Sequence, residues 1–447
     1  MSLTGWVSRN LWKRARYKVT KEVLREIENF DPTASPNPYL VSSLQHALNE
    51  VPYYRQMAGE NVSAATIETF PLLTRDLLRA RFDDLQNDRI ERVGWSERRT
   101  SGSTGTPLVI IQNEVQRNWV RAGEAWYYRN LLGFDLTETP RILIWASSDA
   151  ILGKKMDLGN RINLFLSKAD RLGASRFTPA EFSDIVDAIN RRRAKLIQGY
   201  ARALYEVARY IRANGLHIHS PEALVTTAEN LLPEMRTLIE EVFQAPVRNL
   251  YGTREVGFIA GECSHGRMHR LTFHVHSEIV DHNARPVAPG EAGEVVVTTL
   301  HNRAMPLVRY TLCDEAIAPT DDICSCGCKL PTMGTITGRV GDYFPTAAGD
   351  LVYNGFFFRT IKEHSWINSF LIVQVEIDAI ELHYVPAAPS PSGAMEGIEH
   401  NIRAVMGEKC RIIWKQVDQI PPTAGGKRQY AISLPNYQTQ QKNFLTD

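Results

Sequence analysis

A chain of 447 residues is longer than one ordinary hydrophobic core supports, so two or three domains are expected. Hydrophobic content of 43% and charged content of 23% describe a soluble globular protein, and a formal net charge of +1 argues against a general nucleic-acid footprint. No apolar run approaches a membrane span, no apolar signal core opens the chain, and the six cysteines are clustered rather than spread as a disulfide framework, so a reduced, cytoplasmic setting is expected, with metal binding open.

Taken in order, residues 8–30 place Leu11, Ala15, Val19, Val23, Leu24 and Ile27 near helical spacing, which predicts an amphipathic helix. A second helix is predicted over 39–57, entered through Ser35-Pro36-Asn37-Pro38, with Tyr53 and Tyr54 as packing residues. Thr100-Ser101-Gly102-Ser103-Thr104-Gly105-Thr106-Pro107 then precedes the apolar run Val109-Ile110-Ile111. Its glycines let the backbone approach an anion, its N–H groups can face one concavity, and its hydroxyls add donors. It lacks the Gly-Lys-Ser/Thr helix opening of the common nucleotide loop, so a phosphate cradle between two strands and a plain surface turn are equal readings of composition alone. The span 114–132 reads as a helix, with Trp119, Trp126, Tyr127 and Tyr128 for a core or, second, a pocket wall.

From Ile142 the pattern alternates: strand 142–146, helix 179–193, strand 196–200, helix 201–213 stopped by Asn214-Gly215, strand 223–227, helix 232–243, strand 247–250. Such alternation predicts an α/β fold with a parallel sheet, whose ligands lie beyond the carboxyl ends of the strands. Gly199-Tyr200, Ala228-Glu229 and Tyr251-Gly252 fall at such ends. After Gly257, strand-like runs over 269–280 and 294–300, with turns at 281–285 and 288–291, predict a β-rich subdomain. A junction is expected at 338–342, followed by a small α+β unit with a Pro/Ser-rich loop at 386–393.

Three further segments carry chemistry. Tyr251-Gly252-Thr253-Arg254-Glu255 offers a ring to stack on a base and a carboxylate to hold Mg²⁺ against phosphate. Asp314 follows a strand, where an acid can accept ribose hydroxyls. Lys427, on Pro421-Pro422-Thr423-Ala424-Gly425-Gly426, is a point charge that can reach a phosphate or carboxylate. Each taken alone also reads as an ordinary turn, surface acid or surface lysine.

Together these pieces resemble the adenylate-forming superfamily of acyl-CoA ligases. The resemblance is strongest to the phenylacetate–CoA ligase family and its capsular polysaccharide biosynthesis, CapK-like, branch. It covers residues 95–345, and the lysine loop in part. It assigns Thr100, Ser101, Gly102, Ser103, Thr104, Gly105 and Thr106 to phosphate binding. Ala228, Glu229, Tyr251, Gly252, Thr253, Asp314 and Arg339 join them in the nucleotide site, and Glu255 and Lys427 are the catalytic pair. Trp145, Tyr200, Thr227 and Phe258 are the candidate acid pocket. The implied architecture is a large adenylating domain over 1–337, with mixed and parallel sheets and a β-rich zinc-containing part near 258–335, plus a small mobile α+β domain over 338–447. Four positions depart from the family pattern: Thr106 stands where many relatives have lysine, Arg254 where Thr or Ser is usual, Cys313 where Gly is, and Gly341 where the hinge acid or lysine is. The last two bear on the thioester-forming conformation, not on adenylate formation.

Cys263-x₅-His269 and Cys324-x-Cys326-x-Cys328 form a second signal, since thiolates and an imidazole suit tetrahedral zinc. The spacing leaves His265 and Cys328 as rival ligands and unliganded buried thiols as the bland alternative. The resemblance, in which relatives carry a structural zinc, favours Cys263, His269, Cys324 and Cys326.

The implied activity is ATP-dependent adenylation of a carboxylic acid with release of pyrophosphate, then transfer to CoA or another thiol, amine or hydroxyl. The implied cofactors are ATP/AMP, Mg²⁺ and structural Zn²⁺, with coenzyme A among the acceptors; the partners are a small carboxylic acid and an acyl acceptor, neither nucleic acid nor membrane. Two rivals stand beside it: a nucleotidyl transferase that leaves AMP on an acceptor hydroxyl, and a zinc-stapled nucleotide-binding scaffold without turnover.

Overall fold

The computed structural model describes residues 21–57, 62–99, 108–145, 164, 168–173, 179–229, 231–321, 324–338, 343–349, 351–353, 356–357, 360–361, 364–420 and 431–434. Strands β1 (Ser96–Arg99) and β2 (Val109–Gln112) pair antiparallel with Arg99 opposite Val109, so residues 100–107 join two strands, as their sequence implies. Thr100 to Thr106 themselves, Arg339 and Lys427 lie outside the described residues.

The alternating region builds a parallel core of five strands: β3 (Arg141–Trp145), β4 (Ala169–Gly173), β5 (Leu196–Tyr200), β6 (Ala223–Thr227) and β7 (Val247–Thr253), in the order β4-β3-β5-β6-β7. Helices Pro179–Arg192, Ala201–Ala213 and Pro233–Phe243 fill the connections. Ala201–Ala213 buries Ala201, Leu204, Val207, Ala208 and Ile211, an apolar stripe at three- and four-residue intervals that packs on the sheet. Each buried Leu, Val or Ile there contributes about 1.5–3 kcal/mol, so packing outweighs intrinsic helix propensity. Its stop is the predicted one: Asn214 closes the last turn, and Gly215 follows at φ 58°.

β8 (Gly257–Glu262) and β9 (Met268–Arg270) continue this sheet antiparallel. β10 (Val275–Val280), β11 (Ala292–Thr299) and β12 (Tyr310–Ile317) form a second, antiparallel sheet. β13 (Thr332–Met333) closes the first sheet beside β9, and β14 (Ile336–Gly338) the second beside β12. One core cluster runs from Leu40, Tyr54 and Phe70 through Ile110 and Ile259 to Val297 and Tyr310, so the N-terminal segment packs between the two sheets' residues.

Two expectations are corrected. The helix expected over 39–57 ends at Glu50, because Pro52 holds Val51 extended and cannot donate to a continuing helical ladder; Pro52–Arg55 starts a new turn. Its start is as expected, with the Asn37 side chain accepting from the Tyr39 and Leu40 N–H groups. The run 269–280 divides into β9 and β10 around Leu271–His274, where Leu271 and Phe273 are buried without extending either strand. Of residues 8–30, those at 21–28 are helical and bury Val23, Leu24 and Ile27.

The C-terminal residues form their own α+β unit. β15 (Tyr343–Pro345) pairs with β16 (Leu351–Tyr353). β17 (Ile367–Glu376), β18 (Ala379–Pro386), β19 (Arg411–Gln416) and β20 (Ala431–Ile432) make a sheet ordered β19-β18-β17-β20, with helix Ala394–Met406 crossing between β18 and β19. Phe344, Phe357, Ile372, Leu382, Ile398, Ile402 and Met406 are its separate core. Among the described residues no helix is long and apolar enough to cross a membrane.

Candidate active site

The parallel strands bring their carboxyl ends into line. Ile144 pairs with Gly199, Tyr200 with Thr227, and Thr227 with Leu250, so Trp145, Tyr200 and Thr227 share one edge and Tyr251 to Thr253 continue beyond it. The Trp145 and Tyr200 rings lie 5.1 Å apart between centroids. Burial pushes the Tyr200 phenol up, against the pull of Arg254, while Glu229 adds to the rise. Thr227 is buried at the same edge, and Phe258 packs against the clusters of Tyr127 and Leu250 and of Trp119 and Phe273. Ala228 turns the chain at φ 67°, and the Glu229 Oε2 accepts from the Arg202 N–H at 3.0 Å. Glu229 thus caps a helix N-terminus that has no cap of its own, where a carboxylate is favoured by the helix dipole. At Gly252 a Cβ would stand 2.5 Å from the Gly257 carbonyl oxygen, so the turn between β7 and β8 needs glycine.

Beyond the turn two acids take up position. The Tyr251 hydroxyl donates to Asp314 Oδ2 at 2.8 Å, which ties the end of β7 to β12 in the other sheet. Glu255 is 4% exposed, and its Oε1 lies 3.3 Å from Arg75 Nη2. The Gln112 side chain at the end of β2 donates to the Glu255 carbonyl at 2.9 Å, and Gln116 to the Val256 carbonyl at 3.4 Å. The hairpin that flanks residues 100–107 is therefore fastened beside Glu255.

The four cysteine and histidine side chains favoured above converge, with their ligand atoms all within 4.8 Å of one another. Cys263 Sγ is 3.7 Å from Cys324 Sγ, and Cys326 Sγ is 3.3 Å from His269 Nε2. His269 Nδ1 lies 2.8 Å from the Leu330 carbonyl oxygen. A carbonyl only accepts, so Nδ1 carries the proton and Nε2 presents its lone pair to the cluster. Burial lowers the His269 pKa and keeps the ring neutral. The rivals serve differently: the Cys328 N–H donates to Cys326 Sγ and the His265 N–H to Cys263 Sγ, each at 3.4 Å. Three soft sulfurs and one imidazole, supported by backbone donors, fit a tetrahedral zinc.

The comparisons with known proteins follow the same line. Residues 344–433 match the CapK C-terminal domain family. The chain is 23% identical over 392 residues to Protein CapK of Staphylococcus aureus, covering 86% of this chain and 84% of that one. It is 34% identical over 133 residues to a phenylacetate-coenzyme A ligase of Thermus thermophilus, covering 28% and 30%. Among solved structures, 2-hydroxyisobutyryl-CoA ligase in complex with 2-HIB-AMP and CoA superposes with a TM-score of 0.60 at 18% identity, over 92% of this chain and 91% of that one. The likeness to CapK runs over most of the chain, that to the phenylacetate-coenzyme A ligase over a shorter stretch, and residues 344–433 match the CapK C-terminal domain.

Two of the positions at which the sequence departs from the resemblance acquire a physical meaning. Cys313 sits at φ 63°, a left-handed conformation in which a glycine would be unstrained. Arg254 is exposed at the turn before Glu255 and faces Tyr200. Sequence reasoning missed two ion pairs. Arg309, 1% exposed at φ 50°, meets Glu278 through Nε and Nη2 at 3.2 and 2.9 Å, and donates to the Phe70 and Ala284 carbonyls at 3.1 and 2.7 Å. Burial pushes the Glu278 carboxyl up, and Arg309 pulls it back down. The second missed pair, Arg75–Glu255, joins residues 180 positions apart, a separation that no local pattern signals.

Proposed function

We propose that this protein activates a small carboxylic acid by adenylation, releasing pyrophosphate, and passes the acyl group to CoA or another acceptor. The observation that carries this reading is the convergence of the Tyr251–Asp314 pair and Glu255 at the carboxyl ends of the parallel strands, with the β1–β2 hairpin fastened to Glu255 through Gln112. Similarity to relatives described as phenylacetate-coenzyme A ligases supports the same chemistry.

In this reading Asp314 accepts the ribose hydroxyls, and Tyr251, Gly252, Thr253, Ala228 and Glu229 bound the adenosine. Residues Thr100 to Thr106 hold the β- and γ-phosphates through backbone N–H groups and hydroxyls. Glu255, buried with its carboxylate facing one cationic partner, fits a hard oxygen-seeking cation and would hold Mg²⁺, which when bound supplies charge neutralisation on the triphosphate. Trp145, Tyr200, Thr227 and Phe258 line the acid pocket. Lys427 stabilises the charge that develops as the carboxylate attacks the α-phosphate. Residues 338–447 are the small domain that brings Lys427 in and withdraws it, with Arg339 at the junction. Cys263, His269, Cys324 and Cys326 hold one structural zinc, since four closed ligands leave no open position. The setting proposed is cytoplasmic.

A panel of carboxylic acids assayed for acid-dependent pyrophosphate exchange tests the reading; no exchange with any acid from zinc-replete protein would sink it. With the responding acid in hand, Lys427→Ala should lower pyrophosphate release about 10²–10³-fold while ATP affinity changes little. Equal loss in consumption of chemically supplied acyl-adenylate would show that Lys427 is no adenylation lysine.

A further inference from the structure

We propose that Arg75 is the resident counter-ion of Glu255 and competes with the incoming magnesium ion for its carboxylate, so that Arg75 sets how much magnesium the site requires; this rests on the reading of Glu255 as the magnesium ligand.

Glu255 is 4% exposed and the Arg75 side chain 15%, so both charges are largely withdrawn from water. A carboxylate in such a place is stable as an anion only beside a partner. Arg75 supplies one before any metal arrives. It is not there by chance of a loose loop. Arg75 opens the helix Arg75–Ala80, whose N-cap Thr74 accepts from the Leu77 N–H at 3.2 Å. The preceding residue is fastened on both sides: the Leu73 N–H donates to the Arg309 carbonyl at 2.9 Å, and the Leu73 carbonyl accepts from the Thr311 N–H at 3.0 Å. Arg75 is thus carried on a segment laid along β12, the strand of Asp314. The third titratable group at this point is the Tyr310 phenol, fully buried and kept neutral by burial, with Glu255 and Arg75 as neighbouring charges.

The geometry of the pair distinguishes a replaceable partner from a permanent one. Arg309 grips Glu278 through two nitrogens, at 2.9 and 3.2 Å, and both residues are buried. Arg75 reaches Glu255 through one nitrogen at 3.3 Å, longer than the roughly 2.7–2.9 Å usual for a charge-assisted contact. The first pair is a fork that fixes two segments. The second holds a charge in balance and, among the described residues, engages one of the two Glu255 carboxylate oxygens. A divalent cation at Glu255 and a guanidinium on the same oxygen repel each other, so by linkage each weakens the binding of the other.

The test is a magnesium titration at fixed ATP, followed by nucleotide binding in a calorimeter, on wild type, Arg75→Gln, Arg75→Lys and Glu255→Gln. Removing the competing cation should lower the magnesium midpoint in Arg75→Gln by about 5-fold or more. Arg75→Lys, which keeps the charge but loses the planar donor, should move the midpoint in the same direction by a smaller factor, and it serves alone should Arg75→Gln fail to fold. A folded Arg75 variant with an unchanged or raised midpoint overturns the proposal. The unchanged midpoint marks a structural staple; the raised one marks an arginine that helps hold the nucleotide. Glu255→Gln reports separately on the underlying reading: if its magnesium dependence equals that of wild type, Glu255 is not the ligand and the assignment fails at that level.

Discussion

Glu255 and the cluster around Cys263 stand just before and just after one strand, β8, yet their polar atoms are treated in opposite ways. In the cluster every ligand atom turns inward, and the remaining valences are taken by the backbone: Leu330 holds His269, Cys328 supports Cys326, and His265 supports Cys263. At Glu255, among the described residues, the carboxylate is answered by one long contact from Arg75 on a distant segment. In the proposed function a closed donor set holds β8, β9 and residues 324–330 together through its metal. An acid with a displaceable partner keeps its affinity for something that arrives later. On the proposed function the two ends of β8 assign stability to one site and binding to the other, and variants should separate the two readouts.

The largest effect is expected at the closed site. Replacing Cys324 and Cys326 together with Ser removes two soft ligands, and loss of a structural metal belongs with the exceptional destabilisations, about 4–5 kcal/mol. Purified protein should contain about one zinc per chain, in keeping with a four-ligand site. Elemental analysis checks the zinc, and denaturant unfolding with and without a strong chelator checks the stability. Zinc-free protein that unfolds at the wild-type midpoint would remove the contrast altogether.

An intermediate effect is expected at the open site. Asp314→Ala deletes the acceptor of the Tyr251 hydroxyl and, in the proposed function, of the ribose hydroxyls. ATP affinity should fall by about 1.5–3 kcal/mol, the usual worth of a hydrogen bond to a charged group, with a smaller change in unfolding free energy. Calorimetry on the folded variant decides it: unchanged ATP affinity means that Asp314 only ties the two sheets together.

The contrast also explains what could be read from the sequence. The α/β core was legible because helix and strand periods write local patterns: β5, Ala201–Ala213 and β6 have the predicted bounds, and the other elements of the alternating region differ from theirs by a few residues. Asn214-Gly215 marked a stop because its conformation is a local property. The cysteine–histidine set was legible because ligand chemistry restricts it to few residue types, although spacing alone left Cys328 a rival of Cys326, which the resemblance favoured and the geometry brings to the cluster. Where a proline interrupts an apolar run, as at Pro52, period alone overran the helix end. The partners of charged residues were not legible: Arg75–Glu255 and Arg309–Glu278 join segments that meet only in the folded chain, 180 and 31 residues apart. Glu229, read as a nucleotide residue, carries in addition a helix cap that its neighbours do not announce.

The smallest effect sharpens the comparison from the binding side. Cys313 precedes Asp314 on β12, where the register with β11 shifts between Glu294 and Val296, and it holds φ 63° without being glycine. A side chain in the left-handed region costs about 1–2 kcal/mol, whereas introducing glycine costs about 0.5–1 kcal/mol through the freedom it gains when unfolded. The first term exceeds the second, so Cys313→Gly should raise stability by about 0.5–1 kcal/mol. The backbone is already in the conformation that glycine prefers, so Asp314 should keep its contact with Tyr251 and ATP affinity should stay at the wild-type value. Urea unfolding, read as a shift in midpoint at constant slope, measures the gain. A loss of stability would mean that contacts of the Cys313 thiol outweigh its strained backbone. A gain accompanied by altered ATP affinity would mean that the strain itself aims Asp314, and that the binding end of β8 depends on a tension that the closed cysteine–histidine end does not need.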